Sequence, residues 1–212
     1  MNNLQILRAL VRQQLSAAGL GSRRLAFVHI SSRREPNRWP LPAFAQVADA
    51  LHEKLGFSVL LSWAPGDAKN PLFPGDDGKA EDVAARMRTR PILLRTPRLA
   101  DLIAAISVSD FVLSPDGGCV HIAAALGIPQ VALFGKAYLE QWRPVNTRSI
   151  VLHGRGRADN ISVDEVMAAA AAVVSRWGRD AGDAASADAA EPGQAFQGRG
   201  GAGDARGGHR AS

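Results

Sequence analysis

DFVLSPDGGCVHIAAALGIPQVALFG, residues 110 to 135, is the stretch from which the fold can be read. Phe111, Val112 and Leu113 form an apolar run ending at Ser114-Pro115, the pattern of a strand buried on both faces. Asp116-Gly117-Gly118 follows as a tight turn whose two glycines permit positive φ and close backbone approach. Val120 to Leu126, rich in Ala, reads as a short helix stopped by Gly127 and Pro129. Gln130 to Phe134 is a second apolar strand, closed by Gly135. Together these pieces make a unit suited to holding an anion. The first N–H groups of a helix have no partner within it, and the helix dipole favours negative charge there.

The same alternation extends in both directions. Leu25 to Ile30 is a first strand, followed by the polar loop Ser31-Ser32-Arg33-Arg34-Glu35-Pro36-Asn37-Arg38-Trp39-Pro40. Pro42 opens a helix running to about Leu55, where a missing N–H costs nothing, and Phe44, Val47, Ala48, Leu51 and Leu55 give it an apolar face. After Gly56, Phe57 to Leu61 is the second strand. Ala64 to Gly78 holds three Pro and three Gly and reads as a loop, long enough to suggest function or mobility. Ala80 to Met87 reads as a helix and Ile92 to Leu94 as a strand. Leu99 to Ile106 is a helix with Leu99, Leu102, Ile103 and Ile106 on one face. A loop from Lys136 to Arg148 precedes the strand Ser149 to Leu152. Ser162 with Glu165 forms a capping box for a last helix to about Trp177. Strands alternating with helices imply an α/β fold, a doubly wound parallel sheet of Rossmann-like type. Ligands of such sheets bind beyond the carboxyl ends of the strands. The loops at Ser31–Trp39, Ala64–Gly78, Asp116 and Lys136–Arg148 all leave from that edge.

Three segments are expected: residues 1–24, an amphipathic helix and linker; residues 25–177, the Rossmann-like ligand-binding domain; and residues 178–212, an Ala/Gly-rich tail. The N-terminal helix carries Leu4, Leu7, Leu10, Val11 and Leu15 at helical spacing with Arg8 and Arg12 between them, and Gly19 and Gly21 end it. It either packs on a neighbour or lies on a membrane surface. In the tail Phe196 is the sole large apolar side chain. Such a composition cannot offset its ordering entropy, and disorder is expected.

Of 212 residues, 46% are hydrophobic, ample for a core. One cysteine, Cys119, allows no internal disulfide and suits a reducing compartment. No apolar run approaches the roughly 18 residues of a membrane span, and MNNLQILRALVRQQL lacks the apolar core of a signal peptide. A soluble, cytoplasmic protein is expected. The formal charge of +5 comes with arginine clusters at Arg23-Arg24, Arg33-Arg34 and Arg86, Arg88, Arg90. These are either a solvated surface or an attraction to phosphate on a nucleotide, a nucleic acid or an anionic membrane. With no aromatic interleaving and no RNA-binding or zinc-finger motif, nucleic acid is the weakest of these.

Chemically, the Asp116 turn offers bare amides to a phosphate, although Asp before a helix is also an ordinary N-cap. His121 either donates to a phosphate or bonds a neighbouring loop. Cys119 reads as a small structural residue, and no cluster has metal-ligand spacing. The P-loop lysine and a GxGxxG after the first strand are both missing, which disfavours an NTPase or a dinucleotide dehydrogenase. Ser31, Ser32, Arg33 and Arg34 suit a diphosphate, because guanidinium groups bind phosphate oxygens two at a time. Trp39-Pro40 anchors the base of that loop.

These residues resemble a known pattern. S-P-D-G-G-C-V-H-I-A-A-A-L-G-I-P-Q-V-A-L-F-G is similar to the D-T-G-x-x-H-x-A-A-A-L-G-x-P-x-V-A-L-F-G signature of glycosyltransferase family 9, the lipopolysaccharide heptosyltransferase family. N-R-W-P-L-P-A-F-A-Q-V-A-D-A-L resembles that family's K-R-W-P-x-x-x-F-A-x-L-A-x-x-L, and W-R-P at Trp142 to Pro144 fits as well. The resemblance implies the C-terminal domain of a GT-B glycosyltransferase. It implies metal-independent, inverting transfer of heptose from ADP-heptose to a lipopolysaccharide core acceptor, with no cofactor and at the inner face of the inner membrane. Carried over, Ser31 and Ser32 would touch the diphosphate or sugar, with Arg33, Arg34 or Arg38 supplying charge. Asp116 would orient the sugar, Gly117, Gly118 and His121 would hold the phosphates, and Asp67 would meet the ribose. Two positions depart from the pattern: Gly117 stands for the family's Thr, and Asn37 for its Lys. A family member also needs an acceptor domain carrying the general base, whereas only residues 1–24 precede the first strand. The chain is therefore expected to be the sugar-nucleotide-binding donor half alone: a truncated gene product, a fragment, or one half of a split enzyme whose acceptor domain a partner chain supplies. The alternatives are a non-catalytic nucleotide-sugar-binding module and a GT-B sugar-nucleotide epimerase.

Overall fold

The computed structural model describes residues 3–17, 19, 24–72, 74–136, 139–144 and 148–178. The side chains of Leu4 and Leu7, Gly21 and the tail beyond residue 178 lie outside that set. In chain order the elements are α1 (Asn3–Ala17), β1 (Leu25–His29), α2 (Leu41–Leu55), β2 (Ser58–Trp63), α3 (Asp77–Arg86), β3 (Ile92–Arg95), α4 (Leu99–Ser107), β4 (Phe111–Pro115), α5 (Gly118–Ala125), β5 (Gln130–Phe134), α6 (Leu139–Trp142), β6 (Ser149–His153) and α7 (Val163–Trp177).

The strands form one parallel sheet in the order β3-β2-β1-β4-β5-β6. The four inner strands are buried along nearly their whole length, as near-continuous apolar runs must be when helices cover both faces. The edge strands β3 and β6 are only partly covered. Alternation along β1 divides the core. Ala26, Val28 and Ile30 pack with Phe44, Val47, Leu51, Val166 and Val173 of α2 and α7, while Leu25 and Phe27 pack with Leu15, Ile106, Cys119 and Ala123 of α1, α4 and α5. This is the doubly wound architecture expected.

Local details refine the expectations. Helix α3 starts at Asp77, three residues before the expected Ala80, because Trp63 Nε1 donates to Asp77 Oδ1 at 2.6 Å and ties that turn to the end of β2. Gly56 ends α2 in the left-handed conformation at φ 71°, where a side chain would be strained. In α4 the buried residues are Ala104, Ala105 and Ile106, Leu102 packs partly buried on the same core as Ile106, and Leu99 at the first position is 66% exposed. Helix α1 packs on α4 through Val11 and the buried Leu15, which decides between the two readings of that helix for its inner face. Among the described residues no helix is long and apolar enough to cross a membrane.

Candidate functional site

Strand order reverses between β1 and β4: the chain winds outward through β2 and β3, then returns to lay β4 on the other side of β1. The side layers cannot close over such a switch point, and a crevice opens at the carboxyl ends of the two strands. Here it is a cavity of about 440 Å³. One wall is Ser31 to Arg34, after β1; the other is Asp116, Gly117, Gly118 and His121, between β4 and α5. His29, Ser114 and Cys119 also line it, at the strand ends and the start of α5, and Ala64 and Trp142 reach it from the remaining two loops. All four loops read from the sequence therefore meet at this cavity.

The loop after β1 is held by Asn37, which is 1% exposed. Its Nδ2 donates to Asp116 Oδ2 at 2.8 Å, and its Oδ1 accepts from the amides of Gly135 and Lys136, both at 3.0 Å. One neutral amide thus joins the loop after β1 to the ends of β4 and β5, using both its donor and acceptor groups. The approach is close: a Cβ on Gly135 would lie 1.8 Å from the Pro36 carbonyl oxygen, so glycine is required there. Trp39 is buried and donates from Nε1 to the Ile161 carbonyl at 2.8 Å, as an anchor of the loop base would. Arg38 lies outside the cavity lining. Its guanidinium donates to the Ser32 and Arg33 carbonyls, at 3.2 and 3.4 Å, and so shapes the loop. Ser31 Oγ accepts from the Ala64 amide at 2.8 Å and links the loops after β1 and β2.

Asp116 does not cap α5. The N-cap is Gly117, without a side-chain bond, and the Asp116 carboxylate turns to Asn37. Burial pushes this carboxyl above its usual range, and the charges of Arg34 and His121 with the Asn37 hydrogen bond offset only part of that. Gly117 is extended at φ 165°, and neither Gly117 nor Gly118 lies in the left-handed region that favours glycine. A Cβ on Gly117 would come no nearer than 3.9 Å, to the Pro115 carbonyl, and one on Gly118 would meet nothing within 4 Å. The expected positive-φ turn is thus corrected. The fold does not need these glycines, and what they provide is exposed backbone at the cavity wall. Cys119 is buried, and burial pushes its thiol up to about 12, which leaves it unreactive.

Of the residues expected at the site, Ser31, Ser32, Arg33, Asp116, Gly117, Gly118 and His121 share this cavity. Asp67 does not line it: the side chain is exposed, with Oδ1 accepting from the Lys69 amide at 2.8 Å. Sequence reasoning missed His29, whose only signal was its place just before Ile30 and Ser31. It also read Asn37 as a missing charge instead of a buried tie, for which the sequence carries no signal. Among the described residues no group of three or more His, Cys, Asp or Glu side chains forms a metal-ligand set.

A family model described as glycosyltransferase family 9 (heptosyltransferase) matches residues 1–171. Lipopolysaccharide heptosyltransferase 3 of Escherichia coli is 27% identical over 142 residues, which is 66% of this chain and 39% of that protein. A family 9 glycosyltransferase structure from Veillonella parvula superposes with a TM-score of 0.69 at 25% identity, over 80% of this chain and 52% of that one. The structure of E. coli ADP-heptose lps heptosyltransferase II gives 0.65 at 21% identity, over 80% and 51%. The chain thus spans about two fifths of the curated relative and about half of each structure.

Proposed function

This chain belongs to glycosyltransferase family 9, and we propose that its cavity is the donor half of a heptosyltransferase-like site, holding a sugar linked to a nucleoside diphosphate. The observation that carries this reading is the meeting of Ser31, Ser32, Arg33 and Arg34 with the Asp116–Gly118 turn and His121 across one cavity at the switch point. Hydroxyls, guanidinium groups and bare amides on one wall or the other are the donors a diphosphate takes up. ADP-heptose is the donor we assign, from the names carried by relatives such as the E. coli heptosyltransferase II structure, and the lipopolysaccharide core is the acceptor class. Asp116 accepts hydroxyl hydrogen bonds from the sugar. Asp67, on the neighbouring loop, offers its second carboxylate oxygen to the ribose.

In the proposed transfer an acceptor hydroxyl attacks the anomeric carbon, the carbon–oxygen bond to the diphosphate breaks, and configuration inverts. This chain's residues stabilise the negative charge that builds on the departing diphosphate, which is the main way preorganised donors lower such a barrier. The acceptor proton passes to a general base outside residues 1–212. Transfer would take place at the cytoplasmic face of the membrane that holds the acceptor.

Calorimetric titration of the 212-residue chain with ADP, ADP-heptose, UDP and UDP-sugars tests the reading. ADP-heptose should bind most tightly, ADP less so and the uridine compounds least. No binding of any of them would defeat it. Binding without turnover on a lipopolysaccharide core acceptor would mark the chain as a binding module.

A further inference from the structure

A buried polar atom without a partner calls for an explanation. Among the described residues three side-chain atoms are in that position: His29 Nδ1, Ser58 Oγ and Gln130 Oε1. Ser58 and Gln130 stand at the first positions of β2 and β5, at the end of the sheet away from the loops described above. Of the three, His29 alone lines the cavity.

Its position is set by the sheet. His29 is the last residue of β1 and pairs in register with Ser62 of β2. On the other side Val28 pairs with Leu113, so that Ser114 follows alongside His29. Its ring lies parallel to that of Phe27, with centroids 6.2 Å apart and 3° between planes. Burial lowers its pKa to about 4, against the opposing pull of Asp76. At neutral pH the imidazole is therefore uncharged, with one nitrogen donating and the other accepting. It stands at the strand end, two residues before Ser31 and one strand from the Asp116 turn, where the two walls assigned to the diphosphate converge.

We infer that His29 is a recognition residue of this cavity, its ring nitrogen hydrogen-bonding an oxygen of the ligand's diphosphate. This rests on the donor-site reading above. An orphaned nitrogen is a cost to the empty protein that binding repays, so His29 departs from an ordinary core side chain in one measurable way. Removing it should weaken binding without weakening the fold.

The test compares the full chain with His29→Phe and His29→Asn, using ADP as the probe. Phe fills the space and carries no polar atom. Its melting temperature without ligand should equal or exceed that of the parent, while its affinity for ADP falls about tenfold. Asn keeps a donor and an acceptor and should recover part of that loss. The ¹⁵N resonances of the His29 ring should move when ADP is added to the parent chain. Parent binding with unmoved ring resonances and undiminished affinity in the Phe variant would overturn the role of His29 alone. A Phe variant that loses stability and binding together, with no recovery by Asn, would reduce His29 to a packing residue. A parent chain that binds no nucleotide would overturn the donor site, and His29 with it.

Discussion

Two aspartates in different regions of this molecule, one on α2 and one at the cavity, show how a structural carboxylate differs from a site carboxylate. Asp49, on α2, is 1% exposed and accepts from the Arg88 and Thr89 amides and the Thr89 hydroxyl at 2.7–3.0 Å. Burial pushes its carboxyl up, but these donors and the Arg88 charge outweigh it and hold it below the usual range. Asp116, at the cavity, has the single side-chain donor Asn37. There burial wins, and the carboxyl stays above the usual range. A chain that satisfies its own carboxylate leaves nothing for a ligand. One that leaves oxygen lone pairs free, beside the Arg34 charge, keeps acceptor capacity for a bound hydroxyl.

The sharpest way to break this comparison is Asp49→Ala. It strips acceptors from two amides and a hydroxyl and should cost about 3 kcal/mol, read as a lowered urea midpoint. The affinity of the folded chain for ADP should not change, and a parallel loss of binding would mean that Asp49 is not purely structural. Asn37→Ala comes next, at about 2 kcal/mol. This change should also weaken ADP binding more than tenfold, because it releases the loop after β1 from both β4 and β5. Unaltered affinity would show that the loop needs no such tie.

Asp116→Asn should change stability by no more than about 0.5 kcal/mol, and the size of the change depends on pH. A carboxyl raised by folding binds its proton more tightly in the native state, so its contribution to stability declines as pH rises through the raised value. The Asn variant should therefore gain on the parent as pH rises from the ordinary carboxylate range through that raised value, with the gain vanishing in acid. Asp49 behaves oppositely: its contribution is present above the usual carboxylate range and is lost as pH falls through its depressed value. Urea midpoints measured across pH should separate the two slopes, and slopes of the same sign would overturn the assignment. ADP-heptose affinity should drop in Asp116→Asn more than ADP affinity does. The smallest effect belongs to Asp67→Ala, under about 0.5 kcal/mol in stability and about threefold in ADP affinity, since its side chain is exposed and bound to its own turn.

Much of the fold is legible because a parallel sheet covered on both faces needs unbroken apolar strands, and VLSP, VALF and LAFV leave little alternative. The cavity walls were legible for the same reason: strand ends locate the loops, and the loops carry Ser31, Ser32, Asp116 and His121. Asn37 was not legible, because its three partners come from segments 79 to 99 residues away in sequence. Leu99 was misread because helical spacing puts it on the face of Leu102 and Ile106, which do pack on the core, but does not show how far along the helix that packing reaches.

The sequence alone determined the layers, the six strands and the edge on which a ligand must bind, since periodicity and glycine placement are local properties of the chain. Tertiary structure alone decided which polar groups are spent and which are free. Asn37 and Arg38 hold the loop after β1 in place, the thiol of Cys119 is buried, and Asp116 and His29 keep unmet hydrogen-bonding capacity at the cavity. Burial and hydrogen-bond satisfaction depend on neighbours distant in the chain, which only the closed sheet brings together.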